Sequence, residues 1–381
     1  MDFCRIQAEY SEDGCRNRIR IDRKGSVRAM NHFRLPYHLL VEEGIFARVN
    51  EVMSDCVPGI GNKKVVIVTD QNLQKLFPDT LKELRADFKY SEIYLVENGS
   101  FDQAVDLAKY ICMNDIAVVI GFGGGMVLDL AKYAAFVSKS VFLCLPTTLS
   151  NDSLASPVAV LGTEGLKRKT FRCTIPHSII VDVNLIMGAP EGQLLAGVGD
   201  TISKYTALND WKLDATVTGS KIDDFAYMIS KMAFNSICYN EEKSIKSKSF
   251  IKVLTQALVM GGLAMEIAGN SRPSSGAEHL FCHSLEENFA DDVYVPHGIA
   301  VAMGSVPVCI FQNRNIGKIK RILHEYKLPV KPSDWKVTED IFVNAWQQAQ
   351  GTRPDRYTIL NQTELSRERL SEIYAMMEEE F

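Results

Sequence analysis

Three of the seven histidines in this 381-residue chain crowd into one stretch, at His279, His283 and His297. His279 and His283 stand at i and i+4, on one face of a helix, and Glu286 follows a turn later. His297 comes after Pro296 and before Gly298, where the next helix should begin. Neutral imidazoles on neighbouring helices can converge on a divalent cation, and one carboxylate would complete a three-ligand site with open positions. The spacing is not H-E-x-x-H, so a zinc protease is not indicated. Spacing alone does not say which acid joins the histidines. Asp200, in Gly197-Val198-Gly199-Asp200, is a candidate. It opens a helical run over 201–213, where an acid can equally serve as an N-cap.

A second constellation is Gly121-Phe122-Gly123-Gly124-Gly125, between an apolar strand and a helix that should start near Met126. Glycine lets the backbone turn sharply and approach a ligand, and a helix N-terminus offers unpaired N–H groups to an anion. That is a cradle for pyrophosphate. It departs from the usual G-x-G-x-x-G fingerprint, whose third glycine would fall at Met126. The acid expected about 20 residues later is also missing. Asp70 instead ends the first strand, where it could accept hydrogen bonds from an adenosine ribose; a carboxylate there repels a 2′-phosphate, which favours NAD over NADP. Asn151-Asp152-Ser153, after Pro146-Thr147-Thr148, forms a polar loop at the carboxyl end of the fourth strand, the side on which open α/β sheets bind ligands.

The elements that must carry these residues fall into two halves. Apolar runs at 64–69, 93–96, 116–120 and 141–145 alternate with amphipathic stretches, the pattern of a parallel sheet covered on both faces. Beyond about residue 190, segments such as 250–268, 277–288 and 299–312 have helical periodicity instead. The reading is an α/β, Rossmann-like N-terminal domain over 1–187 and an all-α C-terminal domain over 188–381.

Composition narrows the class further. Lys+Arg 42 against Asp+Glu 47 gives a net charge of -5 without a basic block, so no nucleic-acid partner is expected. With 46% hydrophobic and 23% charged residues, disorder and low complexity are excluded. Met1-Asp2-Phe3-Cys4-Arg5 does not resemble a signal peptide, and no apolar run reaches the roughly 18–20 residues of a membrane span. A cytoplasmic protein is expected. Nine cysteines without a C-x-x-C pair read as core thiols, not a disulfide framework or zinc cage.

With these residues in view, the chain resembles the sn-glycerol-1-phosphate dehydrogenase family, within the superfamily of glycerol dehydrogenase, iron-dependent alcohol dehydrogenases and dehydroquinate synthase. The resemblance runs from about residue 60 to the C-terminus. It is carried by Gly121-Phe-Gly-Gly-Gly-Met-Val-Leu-Asp129, Pro146-Thr-Thr-Leu-Ser-Asn-Asp152 and Ala155-Ser156-Pro157. Gly197-Val-Gly-Asp-Thr-Ile-Ser-Lys-Tyr-Thr-Ala-Leu-Asn-Asp-Trp-Lys-Leu213 and Ser271-Arg-Pro-Ser-Ser-Gly-Ala-Glu-His-Leu-Phe-Cys-His283 are its most specific segments. Pro296-His297-Gly298 and Thr352-Arg-Pro-Asp-Arg-Tyr-Thr-Ile-Leu360 complete it.

The family pattern implies a dehydroquinate synthase-like fold and a zinc site at Asp200, His279 and His297; nickel or iron suits the same donors. It implies substrate contacts at Asp152, Asp200 and His283. The cofactor site would comprise Gly123, Gly124, Gly125, Met126, Val127, Thr147, Thr148, Leu149, Ser150 and Ser156, with Asp70 added from its place at the strand end. The departures are Ser153, where glycine is usual, Met126, where a basic residue is common, and the first 40 or so residues, which have no counterpart. The expected reaction is reduction of dihydroxyacetone phosphate to sn-glycerol 1-phosphate with NADH, NADPH being the other donor. Arg272 and Lys204 are candidate phosphate donors. A homo-oligomer is expected. The alternatives are a related dehydrogenase acting on another small hydroxyketone or polyol, and a dehydroquinate synthase-like cyclase or lyase.

Overall fold

The computed structural model describes residues 19–21, 27–29, 33–86, 88–163 and 168–381. Two short strands, β1 (Ile19–Ile21) and β2 (Val27–Ala29), pair antiparallel. The N-terminal half is then built on β3 (His38–Glu42), β4 (Lys64–Asp70), β5 (Tyr90–Val96), β6 (Val118–Gly123) and β7 (Val141–Pro146). A β8–β9 hairpin (Val158–Gly162, Arg168–Arg172) precedes β10 (Ser178–Asp182). Strands three to seven and ten form one sheet in the order β3-β10-β7-β6-β4-β5, every neighbouring pair parallel.

Helices α1 (Val49–Cys56), α2 (Gln71–Leu76), α3 (Pro78–Ala86), α4 (Phe101–Met113) and α5 (Gly125–Ser138) connect the strands. They cover both faces: Val65 and Ile67 of β4 join a core with α1, while Val66 and Val68 face α4 and α5. That two-sided burial is why these strands read as continuous apolar runs. From β4 the chain winds toward β5, and from β6 it winds toward β7. The reversal lies between β4 and β6, so Asp70 and the glycine loop end at a topological switch point, where α/β sheets hold ligands.

After α6 (Val183–Met187) the chain is helical: α7 (Glu191–Thr218), α8 (Asp224–Cys238), α9 (Lys248–Ala268), α10 (Ala277–Asn288), α11 (His297–Phe311), α12 (Ile316–Glu325), α13 (Glu339–Thr352) and α14 (Arg367–Glu380). The helix expected over 201–213 starts ten residues earlier, so Asp200 lies inside α7 and caps nothing. Gly197 and Gly199, inside α7, are contact points. A Cβ on Gly197 would stand 2.0 Å from the carbonyl oxygen of Leu149, and one on Gly199 would stand 2.1 Å from that of Gly298. Backbone touches backbone there, and only glycine fits.

Two further expectations need correction. Contrary to the reading of no span-length apolar run, α9 is long and apolar enough to cross a membrane, with mean hydropathy 1.5. Its apolar residues face the protein core, since two thirds of the segment is buried and it packs along α8. Of the cysteines, Cys112 is exposed at the end of α4 and Cys282 lies against a histidine; Cys56, Cys144, Cys173, Cys238 and Cys309 are buried thiols. Cys4 and Cys15 lie outside the described residues.

Candidate active site

Asp200 from α7, His279 from α10 and His297 from the first turn of α11 meet at one point. One ligand atom from each lies within 4.8 Å of the other two. The two rings are 5.3 Å apart at 62°. Each ring has its Nδ1 engaged elsewhere: His279 with Glu278 Oε1 at 2.9 Å, and His297 with Cys282 Sγ at 3.3 Å and Glu286 Oε1 at 3.4 Å. That leaves Nε2 of each as the ligating nitrogen. Burial holds the pKa of His279 well below the usual imidazole value, helped by His297, His283 and Lys204, so it is the neutral ligand form. Burial alone would lower His297 too, but Cys282 and Glu286 outweigh it and raise its pKa well above the usual value, so a cation bound at this ring takes the place of a proton. Two imidazoles and a carboxylate that converge, with Asp200 and His279 buried and His297 half-buried, fit a divalent cation.

Asp152 sits in the short turn Asp152–Leu154 after β7 and comes from the sheet side of the cleft. Burial and the neighbouring Asp200 carboxylate raise its pKa, against the pull of Lys204. Lys204 is wholly buried, its Nζ 3.4 Å from Asp200 Oδ2, 3.7 Å from Asp152 Oδ2 and 3.2 Å from the Asp200 carbonyl oxygen. One ammonium thus faces two carboxylates that would otherwise repel each other. Its candidacy as a phosphate donor is weakened by that commitment. Arg272 is committed elsewhere: Nη2 lies 3.2 Å from Asp214 Oδ2 and Nη1 donates to the carbonyl of Tyr357. His283 completes the cluster, its ring 6.4 Å from His279 and 6.2 Å from His297, with Nδ1 3.4 Å from Glu286 Oε2.

Next to this cluster, the glycine loop forms a cradle that side chains would fill. A Cβ on Gly123 would meet Val127 Cβ at 2.5 Å, and one on Gly124 would meet Thr148 Cγ2 at 3.2 Å. α5 starts at Gly125 with no side chain capping it, so its first N–H groups face the cradle unpaired by a cap. The Thr148 hydroxyl is buried and has no partner among the described residues, which suits a hydroxyl that bonds a ligand. The pocket therefore fits a dinucleotide pyrophosphate. Met126 is exposed at the rim and its side chain fills the space over Gly99. Thr147 donates its N–H to the Gly123 carbonyl, and Ser150 is half-buried beside it. Val127, Leu149 and Ser156 are buried, so they shape the cradle from behind; the Ser156 hydroxyl is bonded to Lys132. Asp70 caps α2 through Oδ1, which accepts from the N–H groups of Asn72 and Leu73.

Sequence reasoning passed over Lys132 and Glu278. Lys132 pairs with Asp129 at 2.9 Å and bonds carbonyls of the loop that follows Asp152. Its signal was the i, i+3 spacing of the two charges on a helix whose other residues are mostly apolar. Glu278 precedes His279 directly, a neighbour that spacing arguments aimed at metal ligands overlook.

Known proteins resemble the chain in sequence and in fold. Residues 40–190 match the iron-containing alcohol dehydrogenase family. The glycerol-1-phosphate dehydrogenase [NAD(P)+] of Sulfurisphaera tokodaii is 34% identical over 314 residues, 81% of this chain and 87% of that one. The enzyme of the same name from Hyperthermus butylicus is 30% identical over 88% of this chain and 95% of its own length. Among solved structures, a probable glycerol dehydrogenase from Sinorhizobium meliloti superposes with a TM-score of 0.74 at 18% identity, covering 92% of this chain and 98% of its own. Glycerol dehydrogenase from Schizosaccharomyces pombe matches with the same TM-score and identity, over 92% of this chain and 91% of its own. The fold is theirs, and by sequence the chain belongs to the glycerol-1-phosphate dehydrogenase family.

Proposed function

We propose that this chain reduces dihydroxyacetone phosphate to sn-glycerol 1-phosphate with NADH or NADPH, using Asp200, His279 and His297 to hold a divalent cation. The observation that carries the reading is the meeting of those three residues within 4.8 Å, beside Asp152 and His283 and next to the dinucleotide cradle. The relatives' shared name supports the substrate. Residues 1–187 supply the cradle and Asp152; residues 188–381 supply the metal ligands and His283.

When bound, the cation supplies Lewis acidity toward a carbonyl oxygen, and the reduced dinucleotide supplies the hydride. The protein's own residues do the rest. Asp152 and His283 flank the ligand set and bind the hydroxyl groups of a three-carbon ketone. Lys204 keeps Asp152 and Asp200 together at close range. Asp200 and His279 are nearly closed to solvent, which keeps bulk water from the reacting carbonyl. Asp70, at the carboxyl end of β4, supports NADH over NADPH, because its charge disfavours a 2′-phosphate. Substrate and cofactor are both small cytoplasmic metabolites, which supports that compartment.

The test is an assay with dihydroxyacetone phosphate and NADH, with the product resolved by stereochemistry, with and without a chelator. Formation of sn-glycerol 1-phosphate, lost on chelation and restored by zinc, is expected. Full turnover after complete metal removal, or the opposite enantiomer, would overturn the reading.

A further inference from the structure

The two ligand histidines are held by carboxylates of very different freedom. Glu278 is wholly buried, and its oxygens are taken up by the Gly276 N–H at 2.6 Å, His279 Nδ1 at 2.9 Å and the Thr206 hydroxyl at 2.8 Å. It serves one imidazole and cannot turn. Glu286 serves two: Oε1 lies 3.4 Å from His297 Nδ1, and Oε2 lies 3.4 Å from His283 Nδ1. Charge-assisted N–H···O bonds usually close to about 2.7–2.9 Å, so this carboxylate is stretched between two donors. It also keeps a fifth of its side chain exposed, which leaves it room to shift. Cys282 Sγ approaches the same His297 nitrogen at 3.3 Å, but a thiol is a weak acceptor. His283 and Glu286 share α10, while His297 opens α11. Glu286 is therefore the link between the substrate-side imidazole and the metal-side one.

We propose that Glu286 is a positioning residue that keeps the proton of both His283 and His297 on Nδ1, so that both rings present Nε2 to the cleft, and that it thereby sets metal and substrate affinity together. The inference rests on the ligand set and the role of His283 proposed above. Outer carboxylates of this kind orient ligating imidazoles and raise their basicity. A neutral amide at position 286 can accept from one ring only; its –NH2 would oppose the other N–H. One substitution should then disturb two functions, whereas the same change at Glu278 should disturb metal binding alone.

Zinc affinity of the full chain, measured by competition with a chelator in the absence of substrate, is compared for wild type, Glu286→Gln and Glu278→Gln. Each variant should bind zinc about 10- to 100-fold more weakly. With zinc saturating, Glu286→Gln should also raise KM for dihydroxyacetone phosphate by about tenfold, and Glu278→Gln should leave KM near wild type. Imidazole nitrogen NMR of the wild-type zinc protein gives a readout that needs no variant to fold: His283 and His297 should both carry the proton on Nδ1. A His283 protonated on Nε2 alone, or a Glu286→Gln protein with wild-type zinc affinity and KM, overturns the inference. A wild type that takes up no zinc overturns the underlying site reading instead.

Discussion

Gly261, in the middle of α9, faces the buried ammonium of Lys204 so closely that a Cβ added to it would stand 2.7 Å from Lys204 Cε and 3.0 Å from Nζ. Asp152 Oδ2 would be 3.2 Å away. Glycine inside a helix costs about 1 kcal/mol relative to alanine, so the notch is maintained against local preference. Gly261→Ala should recover that propensity while displacing Lys204, which is enclosed and cannot swing into solvent. We expect a melting temperature close to wild type and a kcat/KM lower by about tenfold or more, roughly 1.4 kcal/mol of lost transition-state stabilisation. Unfolding curves run beside steady-state kinetics check this. Unchanged kcat/KM would mean that Lys204 and Asp152 can yield without consequence.

Lys132 connects α5, the helix after the glycine loop, to the loop that follows Asp152. Its Nζ donates to the carbonyls of Ser153 at 2.9 Å and Ser156 at 3.2 Å, and pairs with Asp129 Oδ1 at 2.9 Å. Lys132→Met strands a buried carboxylate, a loss of about 3–5 kcal/mol. Adding Asp129→Asn removes the stranded charge and keeps an acceptor for the Val160 N–H. The double variant should therefore be more stable than the single one in denaturant titration, yet still bind NADH more weakly than wild type, because the loop remains untied. A double variant less stable than Lys132→Met would show that the pair is not coupled in this way.

What was legible in the chain follows from where each residue is buried. β4, β6 and β7 stood out because helices cover both their faces. β3, half-exposed at the sheet edge, and β10, buried beside it, each offer an apolar run of only three residues, Leu39-Leu40-Val41 and Ile179-Ile180-Val181, too short to stand out. His279 and His283 were readable because their spacing is local to one helix. The acid that meets them came from family resemblance, since Asp200 is brought to His279 by packing of α7 against α10 and α11, and no spacing encodes that. For the same reason the tie between Glu286 and His297, eleven residues apart and on different helices, was invisible. Lys204 was noticed for its charge but read toward a phosphate; its neighbours turned out to be carboxylates.

Asp210 gives the fold a pH dependence of its own. Burial, reinforced by the nearby Glu278 charge, pushes its carboxyl up to about 7, against bonds accepted from the Ala277 N–H, Gln312 Nε2 and the Ile359 N–H. The ordinary value in an unfolded chain is about 3.9. The native state therefore holds the proton more tightly than the unfolded state, and the stability contribution is full below about pH 3.9 and falls as pH rises toward 7. The slope from this one group is at most about 1.4 kcal/mol per pH unit. Asp210→Asn should flatten the unfolding free energy across that window. Identical slopes for the two proteins would show that Asp210 is ionised throughout.

Gly298 should respond to alanine in the opposite way to Gly261. Its added Cβ would stand 1.8 Å from the carbonyl oxygen of Ala196 and 2.4 Å from the carbonyl carbon. Those are backbone atoms of α7, so no side chain can move aside; α11 itself must retreat. His297, one residue earlier, would be drawn away from Asp200. Overpacking of a rigid contact costs about 1–3 kcal/mol, and we expect Gly298→Ala to lose at least that much stability together with zinc affinity. Trimming Ala196 to glycine in the same protein should restore neither, since the clash is with a carbonyl that glycine also carries. Equilibrium unfolding and chelator competition on both variants test this, and recovery in the double variant would place the clash on the Ala196 side chain instead of the backbone.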